Sequence, residues 1–307
     1  MNPAVDICAS AAEVVPTEKV RCHGSRSDPG GGGINVARVI ARLGGRVTAI
    51  YPAGGLAGEK LSRLLEREGL EGQVVRIKGE TREDITILDQ RSNRQYRFIL
   101  PGPELSEQEW RACLSAVESR TAGFACASGS LPPGVPDGFY AQFAETAARA
   151  GQKAFLDSSG PALKEGLGGP FYLIKPNLEE LGSLVGDEPV GETAQLEACR
   201  HLLSHTRVEA IALTLGAEGA LLVTRQCAFR ARSPAVQIAS TVGAGDSFMG
   251  GMIWALASGM DWAQALRMAV AAGTAAVLSA GTELCHAADI DRLRAQITIG
   301  EIELSPV

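Results

Sequence analysis

Asp246 closes the run Ser240-Thr241-Val242-Gly243-Ala244-Gly245-Asp246, and an apolar helical pattern through Phe248, Met252, Trp254 and Leu256 follows it. Small residues there let backbone N–H groups converge without obstruction, and the dipole of the following helix adds positive potential, so the turn suits a phosphate or a developing oxyanion. A carboxylate in that turn can accept the proton of a substrate hydroxyl while neighbouring amides stabilise a phosphoryl group in transfer. Asp is also a favoured helix cap, so the turn alone leaves base and cap both open.

Three further groupings carry candidate chemistry. The run Pro29-Gly30-Gly31-Gly32-Gly33-Ile34-Asn35-Val36-Ala37 allows close backbone approach, and Asn35 offers donor and acceptor to a sugar hydroxyl, although glycine runs are often only flexible loops. In Lys175-Pro176-Asn177-Leu178-Glu179-Glu180, Asn177 and Glu180 are three apart on one helix face. They could organise a hydrated Mg²⁺ beside nucleotide phosphates, or simply form a capping box. Lys19 and Arg21 lie two apart in an alternating segment, which puts them on one strand face where they could grip one phosphate. Arg82, Arg94 and Arg97 add cations near a second alternating segment, where charges are commonly just solvated.

The elements that must position these residues follow from hydrophobic periodicity. From about residue 31, short apolar runs alternate with helical patterns, the mark of βαβ units around a parallel sheet. Strands are predicted at 47–51, 124–128, 153–157, 172–175 and 209–215. Helices are predicted at 33–43, 59–68, 107–118, 138–150, 178–185, 193–203, 244–257, 262–279 and 288–296. The expected fold class is α/β, a doubly wound and mostly parallel sheet flanked by helices. Residues 18–27 and 84–100 alternate apolar and polar, as strands with one wet face do, and read as a small β lid. No linker divides the chain, so residues 1–307 are expected to form one domain, with lid segments at about 17–29 and 82–101.

Composition narrows the class. A net charge of −6 argues against nucleic acid or an anionic membrane as the main partner, because phosphate backbones demand concentrated Lys and Arg. Seven scattered cysteines with no CxxC pair fit reduced thiols and a cytoplasmic location. The apolar stretch 268–280 is shorter than the roughly 20 residues that span a bilayer. The sequence has no Gly-Lys dipeptide of a Walker loop, no dinucleotide GxGxxG opening a βα unit and no GxSxG elbow. His201 and His205 lack the Glu of a zinc-binding HExxH.

Taken together, Gly31-Gly32-Gly33-Ile34-Asn35, Ser128-Gly129-Ser130-Leu131-Pro132-Pro133-Gly134 and Thr241–Ser247 resemble the signatures of the PfkB, or ribokinase-like, carbohydrate kinases, and the resemblance extends from residue 2 to 295. It implies a ribokinase-like fold and ATP-dependent transfer of the γ-phosphate to fructose 6-phosphate, giving fructose 1,6-bisphosphate. Tagatose 6-phosphate and fructose 1-phosphate are the alternative acceptors within the family. A sugar-phosphate-binding protein without catalysis is the alternative of a different class.

By the same resemblance, Asp246 is the base and the amides of Gly243, Ala244 and Gly245 hold the phosphoryl group. Asp6, Gly32, Gly33, Asn35, Arg82 and Ser130 would line the sugar, with Lys19 and Arg21 on its phosphate. Lys175, Asn177, Thr214, Gly216, Gly219 and Thr274 would border ATP, with Glu180 reaching Mg²⁺ through water. Ser240, Val242, Ala276, Ser279 and Gly281 would offer oxygens to a monovalent cation, K⁺. A homodimer clasped through the lid is implied as well. Relatives of this pattern carry an apolar strand leading into Asn2-Pro3-Ala4-Val5-Asp6, whereas here Met1 stands immediately before it. An upstream start, a sheet that tolerates the loss, or lowered stability are the three expectations that follow.

Overall fold

The computed structural model describes residues 1–279 and 283–304. Its thirteen described strands divide among three sheets. The largest has the order β13-β12-β11-β10-β9-β8-β7, from Thr298–Ile302 (β13), Ala228–Arg232 (β12), Ala220–Thr224 (β11), Ala210–Thr214 (β10), Phe171–Ile174 (β9), Lys153–Asp157 (β8) and Phe124–Ser128 (β7). β7 to β10 are parallel, and β11 to β13 continue the sheet antiparallel. The inner strands are buried on both faces, with Phe155, Leu173, Ile211 and Leu222 fully enclosed, which is why they read as unbroken apolar runs.

A second sheet has the order β2-β1-β5-β6, from Cys22–Gly30 (β2), Ala4–Ala11 (β1), Arg82–Asp89 (β5) and Arg94–Phe98 (β6). β1 runs parallel to β5 and antiparallel to β2. The third sheet is the parallel pair β3 (Thr48–Ala53) and β4 (Glu71–Arg76). The sequence reading anticipated one core sheet plus a flap. β1 escaped it because Ala4–Ala11 is rich in small residues without a period of two, β11 because a short, unbroken apolar run gives no period to read, and β12 and β13 because five residues with Arg230, Arg232, Gly300 or Glu301 among them give too short a signal.

Helices cover the sheets. α1 (Gly32–Arg42), α8 (Ala244–Ala257), α9 (Trp262–Ala276) and α10 (Ala287–Arg294) gather on one side, in a core that includes Val39, Phe248, Met252 and Leu266. α3 (Glu107–Glu118), α4 (Phe139–Arg149), α5 (Gly160–Gly166), α6 (Leu178–Val185) and α7 (Glu192–His205) carry the opposite core around Tyr140, Leu163 and Leu181. α2 (Gly55–Arg67) joins β3 to β4. The short α5 was not predicted, since seven residues with Pro161 in its first turn are too few for a periodic signal.

The reading of Lys19 and Arg21 as partners on one strand face is corrected here. β2 begins only at Cys22, opposite Ala11 of β1, and the chain between them turns through Pro16 and Thr17, the latter at φ 68°. Both cations therefore sit exposed in the β1–β2 connection, where alternation does not apply.

Candidate active site

The turn ahead of α8 is built around Gly243, the residue that caps the helix, at φ 75° in the left-handed region that suits glycine. Asp246 stands three residues inside the helix, and the cap makes no side-chain hydrogen bond, so Asp246 is not the cap. Its carboxylate is held from two other elements: Asn35 Nδ2 on α1 donates to Oδ2 at 3.0 Å, and Ser128 Oγ at the end of β7 donates to Oδ1 at 3.2 Å. Burial pushes the carboxyl up to about 6 and the Asp157 carboxylate adds to this, while the Asn35 and Ser128 hydrogen bonds and Lys175 oppose it. A half-buried carboxylate poised near neutrality beside first-turn amides is the arrangement a general base needs.

The glycine run serves close approach. Gly31 caps α1 at φ 98°. A Cβ on Gly32 would lie 2.3 Å from Ser128 Oγ and 2.9 Å from the Gly129 amide, and one on Gly30 would run into the Asp6 carboxylate. Gly33, by contrast, has room. Asn35 is oriented from behind: Arg38 Nη1 donates to its Oδ1 at 3.3 Å, which leaves the Asn35 amide nitrogen to face Asp246. Arg38 is in turn held by both Glu68 oxygens, at 2.7 and 2.6 Å, and by the Pro29 carbonyl at 2.9 Å. Sequence reasoning missed Ser128 as a contact of Asp246, and missed Arg38 and Glu68. A buried arginine one turn after Asn35 was the available signal.

Lys175 closes the other side. Its Nζ lies 2.9 Å from Asp157 Oδ1 with both side chains largely buried, and a Cβ on Gly245 would come within 3.3 Å of that Nζ. Desolvation lowers the ammonium pKa, but the Asp157 carboxylate and its hydrogen bond outweigh that, so Lys175 stays charged. Asp157 was also missed by the sequence reading, although it ends a core strand at the sheet's carboxyl edge, where ligands of open α/β sheets bind.

Asn177 and Glu180 form a capping box on α6: Asn177 Oδ1 accepts from the Glu180 amide and Glu180 Oε2 from the Asn177 amide, each at 2.8 Å. The bland alternative is therefore realised. It uses one oxygen of each side chain and leaves Glu180 Oε1 and the Asn177 amide nitrogen outside the box. Burial raises the Glu180 carboxyl, and the Asn177 backbone and Lys175 oppose that. Hydrated Mg²⁺ needs only a few protein oxygens, so this pair fits it in donor chemistry. Among the described residues no cluster of three or more His, Cys, Asp or Glu could cage a metal by itself.

The remaining nucleotide-side candidates lie along the same edge. Thr214 bridges to Asn177 and donates to the Pro176 carbonyl at 3.3 Å. Gly216 opens the 3₁₀ turn Gly216–Glu218 between β10 and β11, and Gly219 caps its end. Thr274 is buried and its hydroxyl lies 2.7 Å from Ser233 Oγ. Residues 239–240 run along the end of α9, with the Ala239 amide donating to the Val277 carbonyl at 2.8 Å. The Ser240 amide donates to the same Val277 carbonyl at 3.3 Å, Ser240 Oγ accepts from the Val242 amide at 3.2 Å, and Ser279 Oγ donates to the Leu284 carbonyl at 3.5 Å. Gly281 lies outside the described residues.

On the lid side Asp6 pairs across β1 with Asp28 of β2 and Asp84 of β5. Burial and the Asp84 carboxylate push Asp6 up to about 7, against Arg82, Arg38 and Arg97. Arg82 is committed to the protein itself, donating to the carbonyls of Asn2 at 3.0 Å and Leu100 at 3.1 Å and lying 3.3 Å from Asp84 Oδ2. Ser130 is exposed and accepts from Asn2 Nδ2 at 3.2 Å. Arg94 and Arg97 are exposed on β6.

With this geometry in hand, comparison with known proteins decides the family. Residues 1–289 match the pfkB family carbohydrate kinases. The chain belongs to that family. This pfkB-family chain is 42% identical over 294 residues to the ATP-dependent 6-phosphofructokinase isozyme 2 of Mycobacterium tuberculosis, covering 95% of itself and 86% of that protein. Phosphofructokinase-2 of Escherichia coli in complex with potassium superposes with a TM-score of 0.93 at 38% identity, over 96% of each chain. The same Escherichia coli enzyme in complex with fructose-6-phosphate superposes at 0.91 and 37% identity, again over 96% of each chain. The ribokinase-like α/β fold expected of this pfkB-family chain is thereby established. Among its described residues no helix is long and apolar enough to cross a membrane.

Proposed function

We propose that the chain transfers the γ-phosphate of ATP to the free primary hydroxyl of fructose 6-phosphate, giving fructose 1,6-bisphosphate and ADP. The observation that carries this is the Asp246 carboxylate, raised to about 6 and aimed by Asn35 and Ser128 at the amino end of α8. Asp246 accepts the hydroxyl proton as that oxygen bonds to the γ-phosphorus and the bond to the β,γ-bridging oxygen breaks. The amides at Gly243, Ala244 and Gly245 hold the equatorial charge. Lys175, fixed against Asp157, supplies a buried cation beside the same turn. Bound Mg²⁺ would neutralise nucleotide phosphates, with Asn177 and Glu180 holding it through water, and K⁺ would fit the oxygens near Ser240 and Ser279.

Lys19 and Arg21, exposed at the lid, are assigned to the phosphate already on the acceptor, and Asp6, Arg82 and Ser130 to the sugar. Exposed Tyr96, Phe98, Ile99 and Leu100 at the lid's β6 edge support a homodimer through this sheet.

Replacing Asp246 by Asn is expected to lower kcat by about 10²- to 10⁴-fold with KM for fructose 6-phosphate within a few-fold of the parent. Near-parental turnover in that variant would refute the assignment. Comparing kcat/KM for fructose 6-phosphate, tagatose 6-phosphate and fructose 1-phosphate tests the acceptor, the first being expected to lead.

A further inference from the structure

Tyr140, in the first turn of α4, is wholly buried in the core that also holds Phe143, Leu156, Leu163 and Ile174. Phenylalanine would fill that space as well, and a Tyr O–H in such a place needs a polar partner. The partner is the Gly129 carbonyl, which accepts from Tyr140 Oη at 2.7 Å. Ser158, the buried residue after β8, donates to the same carbonyl at 3.1 Å. Burial holds the phenol above its ordinary pKa, so its proton stays in place to be donated. The Gly129 amide in turn donates to the Asp157 carbonyl at 2.9 Å. Both polar groups of one glycine backbone are thus held, and the carbonyl has two hydroxyl donors, one for each lone pair.

The glycine so held is a junction. Gly129 stands at φ 96°, in the left-handed region where a residue without Cβ turns most freely. It joins Ser128, whose Oγ donates to Asp246 at 3.2 Å, to Ser130, which was assigned above to the sugar. Its backbone also abuts the turn ahead of α1. A Cβ on Gly129 would lie 3.4 Å from the Gly32 nitrogen, and one on Gly32 would lie 2.9 Å from the Gly129 nitrogen. Rotation of the Gly129–Ser130 peptide would strip two buried hydroxyls of their acceptor, and that cost keeps the peptide in one orientation.

We propose that Tyr140 and Ser158 are positioning residues for the phosphoryl transfer: by clamping the Gly129 carbonyl they keep Ser128 Oγ on the Asp246 carboxylate and Ser130 on the acceptor side. The inference rests on the reading of the site under Proposed function. Neither hydroxyl touches a reacting group. A hydroxyl pair that served only the core would affect stability alone, whereas a clamp also governs the ionisation of Asp246 and the grip on the acceptor.

The test compares the parent with Tyr140→Phe, Ser158→Ala and the double variant, and uses Phe143→Leu as a variant of the same core without a hydroxyl. The Asp246 carboxyl is titrated by carbon-13 NMR in the substrate-free chain, its signal identified by its loss in Asp246→Asn. This readout does not depend on which acceptor is phosphorylated, so it tests the clamp even if fructose 6-phosphate proves not to be a substrate. The other titratable groups facing Asp246 are Asp157 of β8, Lys175 after β9 and the Cys126 thiol of β7, and the substitutions replace none of them. In the double variant the midpoint is expected to rise by about half a pH unit, because a hydrogen bond that favours the ionised form is weakened. KM for fructose 6-phosphate is expected to rise about fivefold or more, with KM for ATP changing less than about twofold. Tyr140→Phe alone keeps the ring in the core and is expected to show both changes at smaller size, so it carries the test if the double variant fails to fold. A parental midpoint or a parental ratio of the two KM values overturns the proposal. An equal change in Phe143→Leu does so as well.

Discussion

At Asp246 ionisation is opposed by burial and by Asp157 and supported by donors from Asn35 and Ser128, so the carboxyl is raised to about 6 instead of more. A base must be ionised to act. kcat/KM is therefore expected to fall tenfold per pH unit below about 6 and to be flat above it, as a pH–rate profile of the free enzyme would show. Asp6 carries the opposite lesson about stability. Its carboxyl is raised from 3.8 to about 7, so between those values the folded chain binds a proton that the unfolded chain has released. Stability from Asp6 is full below about pH 4, declines as pH rises through the window, and is gone above about pH 7. Asp6→Asn removes that dependence. The Tm of the variant relative to the parent is expected to be higher at pH 8 than at pH 4, and an equal difference at both pH values would contradict it.

At the scale of elements, the chain Glu68–Arg38–Asn35–Asp246 ties the end of α2 through α1 to the start of α8. Arg38 is almost wholly buried while Glu68 is about one-third exposed, so the two ends of the ion pair are not equivalent. Glu68→Ala leaves a buried guanidinium with only the Pro29 carbonyl and Asn35. A loss of about 2–3 kcal/mol in denaturant unfolding is expected, less than a fully enclosed pair would lose. Because Asn35 loses its brace, kcat should also drop by about tenfold or less while KM for ATP holds. Gly32→Ala acts at the same junction, since its Cβ would be 2.3 Å from Ser128 Oγ. The junction must open to admit it, at a cost of about 1–3 kcal/mol in stability, and turnover should fall with it.

Across the whole molecule, Arg82 at the start of β5 ties the lid sheet to the segment ahead of β1 by donating to the Asn2 carbonyl, and the lid presents Phe98 and Ile99 at about half exposure. An outer strand with such residues is poorly suited to stand alone in water. For the homodimer proposed through this sheet, Phe98→Asp is expected to lower the mass seen by light scattering toward that of a monomer, and to raise KM for the acceptor more than for ATP, because the lid side holds the sugar-phosphate candidates. A parental mass at micromolar protein would count against the interface.

The turn at Thr241–Asp246 was legible because its signal is local: small residues at fixed spacing before an apolar helix define a turn whatever surrounds it. The same holds for the capping pair Asn177 and Glu180, for α3 and α8, whose predicted bounds match those observed, and for strands such as Phe124–Ser128, where apolar runs and their breaks are continuous in sequence. Tertiary structure alone decided which groups meet. Asn35 and Ser128 lie 211 and 118 residues from Asp246, and no spacing rule joins them. The placing of Lys19 and Arg21 on one strand face failed because a period of two describes a strand only where a partner strand pairs with it, and the pairing with β1 begins at Cys22.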